Sequence, residues 1–164
     1  MASYFLRAAL TGALTSVALL ITAAPARAEL GSTPMQTPSG ASVETIGPAP
    51  GPASSTAPAS FTVRQTTLTS GTVVREYTGA DGNVFAIAWS GPRMPDVASL
   101  LGGYLPQVEQ AVETQRAQRG GGRGAVSIDQ PGLVVRSGGH MGHFEGQAYL
   151  PQMLPAAVTG SNIQ

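Results

Sequence analysis

The stretch Val84-Phe-Ala-Ile-Ala-Trp89 decides how the rest of the chain is read. It sits between two turn signals, Ala80-Asp81-Gly82-Asn83 and Ser90-Gly91-Pro92. Asp-Gly tolerates positive φ and suits a tight hairpin turn. A two-residue period puts Phe85, Ile87 and Trp89 on one face of a strand, and Val84, Ala86 and Ala88 on the other. The small face allows a helix to lie close to the sheet. Upstream, Phe61–Leu68 and Thr72–Tyr77 are rich in β-formers and flank the turn Thr69-Ser70-Gly71, so the three runs predict a β-meander.

Downstream, Pro95 and Asp96 suit the first turn of a helix. Val97, Leu100, Leu101, Tyr104, Leu105, Val108 and Val112 then recur at helical spacing. Gly102-Gly103 weakens that stripe and Pro106 removes a backbone donor, which predicts a kink or a split. Arg116–Gly124 reads as an exposed loop. Ala125–Asp129, Leu133–Arg136 and His143–Leu150 read as further strands, with Gln130-Pro131-Gly132 as a turn and Ser137–Gly142 as a Gly-rich loop. The expected fold class is α+β: an antiparallel sheet of five or six strands in the order β-β-β-α-β-β-β, with one kinked or split amphipathic helix on one face. If Phe85, Ile87 and Trp89 lined the uncovered face, they would leave an apolar patch and favour a homodimer.

Two segments precede this domain of residues 61–164. Glu29–Ser60 carries six prolines among Gly, Ser, Thr and Ala, and reads as a disordered Pro/Ser/Gly/Ala-rich linker. Residues 1–28 read as a signal peptide: Arg7, an apolar run from Ala8 to Ala24, and the cleavage pattern Ala26-Arg27-Ala28. The run is short and broken for a membrane span, which takes about 20 apolar residues. The expected location is therefore periplasmic or secreted, with no stable membrane span after cleavage behind Ala28.

The chain has no Cys, so disulfides and thiol chemistry are excluded. Its nine basic residues are all Arg and balance nine acids. Cleavage would remove two of those Arg and no acid. Such a chain lacks the basic footprint that nucleic acid requires.

The residues with most chemistry lie late. His140, His143 and Glu145 form an H-x-x-H-x-E pattern whose imidazoles and carboxylate suit zinc, copper or nickel. In a strand, His143 and Glu145 share a face. The plain alternative is one loop His and one strand His at the surface. Ser137-Gly138-Gly139 beside Arg136 reads either as an anion-binding nest of backbone N–H groups or as an ordinary connecting turn. Trp89 reads either as a core residue or as the floor of a shallow pocket at the end of the sheet. Arg116, Arg119 and Arg123 form the one positive cluster, suited to an acidic partner. No G-x-S-x-G elbow or other nucleophile stands out, and no cofactor is implied.

Several segments together resemble a bacterial family of unknown function, DUF2844: Thr72–Tyr77; Val84–Pro92 with Met94-Pro95-Asp96 and Leu100–Gly102; Ser137–Met141; and Gly146–Pro151. The resemblance implies an exported protein and no established activity, and it does not extend to the Pro-rich linker. The expectation is a non-catalytic binding or structural accessory module of the envelope, with an envelope protein or a small ligand as partner. The alternative is a metal-binding or small enzyme site on His140, His143 and Glu145.

Overall fold

The computed structural model describes residues 29–47, 61–122, 124–156 and 158–164. The signal-peptide reading of residues 1–28 lies outside them. The first six residues of β4 (Val84–Gly91) are all buried. A strand in that position needs a partner on each edge and cover on each face. Its edges are taken by β3 (Val73–Gly79) and β7 (His143–Tyr149). Beyond β3 lie β2 (Phe61–Thr67) and β1 (Ser42–Ile46); beyond β7 lie β6 (Leu133–His140) and β5 (Val126–Gln130). The order is β1-β2-β3-β4-β7-β6-β5, antiparallel at every pairing. Two meanders thus join at β4 and β7, and a helical segment links β4 to β5.

This corrects the expected α+β fold of five or six strands. Among the described residues the fold is mostly β, with seven strands and one interrupted helix. The unexpected strand, β1, falls inside the segment read as linker. All five of its residues are exposed, and backbone pairing with β2 holds it in place, from Ser42↔Thr67 to Ile46↔Val63. A strand held mainly by backbone bonds needs no apolar alternation, so Val43, Thr45 and Ile46 are its one local sign.

The preceding residues also belong to the fold. Leu30 is 3% exposed and its N–H donates to the Leu100 carbonyl. Gly31 N–H donates to Val84 O, and Val84 N–H donates to Ser32 O, both at 2.8 Å. Further along, Met35 N–H donates to Glu76 Oε1 at 2.7 Å, and Arg64 donates to Met35 O and to Thr37 Oγ1. Residues 29–37 are therefore a strap across the sheet rather than a spacer; residues 48–60 of the linker reading lie outside the described residues.

The helical segment comprises α1 (Val97–Leu101), a 3-10 turn (Gly102–Tyr104) and α2 (Leu105–Gln118). Asp96 caps α1 by accepting from Ser99 N–H. The interruption has two causes: Gly102 takes φ +51°, and Pro106 sits at the start of α2, where its missing donor costs nothing. The sheet-facing side chains Leu100, Leu101 and Val108 pack with Val74, Ile87, Trp89, Leu133 and Val135.

The face assignment of β4 also needs correction. Tyr77 pairs with Ala86 but Thr78 pairs with Val84, which leaves Phe85 as an extra residue. A β-bulge of this kind breaks the strict two-residue alternation. Phe85 accordingly joins Ala86 and Ala88 in a second core with Phe61, Val63 and Tyr77, while Val84, Ile87 and Trp89 belong to the helix side. Phe61 and Phe85 meet edge to face at 5.8 Å. The C-terminal segment closes this second core with Ile163, 1% exposed, alongside Leu154 and Val158. Phe85, Ile87 and Trp89 thus form no uncovered patch, and the dimer expectation loses its premise.

Glu76 is fully buried and its carboxyl is pushed above the usual carboxylate range by desolvation, opposed by the Met35 N–H and the Arg64 charge. Its Oε2 lies 3.6 Å from Arg64 Nη1 and lacks a hydrogen-bond partner. A carboxyl with a raised folded-state pKa stabilises the fold fully below its unfolded pKa of about 4.3, and that contribution is lost as pH rises through the folded value. Measured against Glu76→Gln, which does not titrate, the wild type should lose relative stability between pH 4 and pH 7 in urea unfolding. A pH-independent difference would contradict this assignment.

If the strap is part of the core, Leu30→Ala should cost about 2–5 kcal/mol in the same assay. A spacer residue would cost nothing measurable.

Candidate functional site

The C-terminal segment covers only part of its face of the sheet. Next to it lies an open cleft of about 540 Å³, lined by Arg75, Arg136, Gly138, Glu145 and Gln147 and bounded by Gln164. The strand register explains the grouping. Arg75 stands opposite Ala88, Ala88 opposite Gln147, Gln147 opposite Arg136, and Arg136 opposite Ser127. Residues directly opposite across antiparallel strands share a face. One residue row therefore crosses five strands; within it Ala88 is buried with Ile163 in the second core, and Arg75, Gln147, Arg136 and Ser127 line the cleft. The next row on this face holds Ser90, Glu145 and Gly138.

Arg75 is held in place: Nε donates to Gln65 Oε1 at 2.9 Å and Nη1 donates to Gln164 O at 2.7 Å. Arg136 is looser. Its Nη2 lies 3.9 Å from Asp129 Oδ2, too far for a hydrogen bond, and its side chain is 56% exposed.

The candidate residues Trp89, Arg136, Ser137 and Gly138 all border this cleft. Their roles differ from those expected. Trp89 is 3% exposed and belongs to the helix-side core, so its ring is no open floor; its Nε1 lacks a hydrogen-bond partner. Ser137, Gly138 and Gly139 are not a loop. They continue β6, opposite Gly146, Glu145 and Phe144 of β7, so this stretch is a ladder segment rather than a nest. Gly139 has φ +134° and a Cβ there would come within 2.8 Å of Phe144 Cα. Glycine serves close strand approach at this point.

The proposed metal ligands lie at the tip of the β6–β7 hairpin. His140 and His143 face each other across the two-residue turn Met141-Gly142, with ring centroids 6.0 Å apart. His143 Nε2 is 3.7 Å from Glu145 Oε2, and His140 Nδ1 lies 3.0 Å from Met141 O. All three side chains are exposed. Among the described residues, no three His, Asp or Glu side chains are grouped to hold a metal ion.

Of the arginine cluster, Arg116 pairs with Glu113 at 3.0 Å and Arg119 donates to Ala125 O at 2.9 Å; Arg123 lies outside the described residues. Together with Gln115, which donates to Ser127 O, and Gln107, bonded to Gln130, Arg119 ties α2 to the outer strand β5.

Sequence reasoning missed Arg75, Gln147 and Gln164. The first two were legible as polar positions on strands, but only the register between β3, β4, β7 and β6 shows them sharing a row with Arg136. Gln164 gave no signal at all.

The molecule is thus a single antiparallel sheet with a helix on one face and a polar cleft on the other. The sequence profile of the family described as Protein of unknown function (DUF2844) matches residues 26–163, and the chain belongs to that family. The match takes in the strap and β1, which the sequence reading had left outside the resemblance. No curated protein and no solved structure matches the chain.

Gly146 links the cleft to the core. A Cβ there would lie 2.6 Å from Trp89 Cε2 and 2.8 Å from Arg136 O. Gly146→Val should displace the indole and cost about 1–3 kcal/mol through overpacking. Because Trp89 is the chain's one Trp, its emission should shift to longer wavelength. Unchanged emission would show that the ring is not packed over Gly146.

Proposed function

We propose that this is an exported protein of the bacterial envelope, periplasmic or secreted, that acts by binding a small ligand rather than by catalysis. The observation that carries the binding reading is the cleft on the face opposite the helix, where Arg75, Gln147 and Arg136 present polar groups from one row of the sheet. Concave sites with a few convergent polar groups are where ligands bind. Export is supported by the basic, apolar and small-residue pattern of residues 1–28. It is supported further by the place of the cut: cleavage after Ala28 would leave the strap whole, since Leu30 is already a core residue.

Sequencing the N-terminus of protein recovered from the periplasmic fraction or the medium tests export; the expected first residue is Glu29. Recovery in the cytosol with residues 1–28 attached would overturn it. For binding, amide-shift changes in a screen of envelope solutes should cluster at Ala88, Gln147 and Arg136. A screen in which no solute moves that row would overturn the binding reading.

A further inference from the structure

We propose that the cleft takes a hydroxylated organic oxyanion, a sugar acid or a sugar phosphate, held between Arg75 and Arg136. This rests on the reading of the cleft as a ligand site. Arg75 and Arg136 stand three strand steps apart on one face, about 14 Å at the backbone. Ala88 and Gln147 fill the two positions between them. Ala88 is buried in the second core with Ile163, and the cleft opens beside it, with Arg75, Gln147 and Arg136 all in its lining.

The donors are arranged for an acceptor. The bonds to Gln65 and Gln164 use Nε and Nη1 of Arg75 and fix its plane, leaving Nη2 to a ligand. Arg136 is bound by nothing tighter than the 3.9 Å approach to Asp129, so its planar fork is available for two parallel bonds to a carboxylate or phosphate. The Gln147 amide lies between them, opposite both Ala88 and Arg136. Gln164 O already occupies one Arg75 donor as an acceptor oxygen would.

The acidic groups set limits on the ligand. Glu145 lies in the adjacent row of the same face and leans towards His143, 3.7 Å away. A carboxylate at this rim repels a second anionic group and accepts from a hydroxyl. The geometry therefore favours a ligand with its oxyanion at the arginines and hydroxyls towards Glu145, over a bare inorganic anion or a neutral solute.

The test is an amide-shift titration of the purified protein with glucuronate, glucose 6-phosphate, glucose and inorganic phosphate. Arg136→Ala is the variant of choice, because Arg136 is exposed whereas Arg75 also holds Gln164. The expected result is saturable shifts at Ala88, Arg136 and Gln147 with glucuronate or glucose 6-phosphate, the stronger of the two identifying carboxylate or phosphate. Arg136→Ala should weaken that binding about tenfold or more, as the loss of charged hydrogen bonds does. Glucose binding the row as well as either anion, inorganic phosphate binding better than both, or Arg136→Ala binding unchanged would overturn the proposal and leave the cleft as a ligand site of another kind. Failure of all four to move the row in a protein that does respond there to some other envelope solute would overturn the proposal alone; failure of every solute would overturn both readings.

Discussion

Three consecutive residues of β3 fasten both ends of the domain. Glu76 points to the helix side and accepts from Met35, holding the strap; Arg75 and Tyr77 point the other way and donate to the Gln164 carbonyl. Tyr77 Oη also accepts from Gln164 N–H at 3.1 Å. The alternation of a strand lets adjacent residues serve opposite faces. Each core depends on its clasp, since Leu30 and Met35 pack into the helix-side cluster and Ile163 into the other. A buried carboxyl is a costly way to build such a clasp. It is used here where a backbone N–H and a guanidinium converge.

Much of the architecture was written in local pattern. The strands around Val84–Trp89, the helix after Asp96 and its interruption near Gly102 follow from apolar spacing, turn residues and a proline that cannot donate. Two features were not legible, for different reasons. β1 carries the strand formers Val43, Thr45 and Ile46, but it is short, exposed throughout and held by its backbone partner, so no buried face marks it within a Pro-, Gly- and Ser-rich segment. The Phe85 bulge depends on how β3 and β4 align, which is a property of the pair; one added residue was enough to send Phe85 to the opposite core.

The candidate site shows the same division. The sequence pointed to Arg136, Ser137 and Gly138, and these do border the cleft, but it ended the strand at Arg136 and read Ser137 and Gly138 as a loop because glycines usually break strands. In the fold those glycines let β6 and β7 approach closely, and Gly146 admits the Trp89 ring from the other side of the sheet. The cleft itself arises where the C-terminal segment stops short of covering the whole face. Its polar row is assembled from β3 and the β6–β7 hairpin, which lie far apart in the chain. No window of sequence contains it.

The clasps on β3 also carry a kinetic consequence. Met35 reaches Glu76 across 41 positions, and Gln164 reaches Tyr77 and Arg75 across 87 and 89. Contacts between residues so distant in sequence carry a large loop-closure cost before they return any stability. The hairpins form from neighbours and need neither clasp. The β4–β7 seam that joins the two meanders is itself long-range, as Ala86 pairs with Tyr149. Each core thus stays open to water until its own terminal segment has crossed the sheet, one on each side of the same strand.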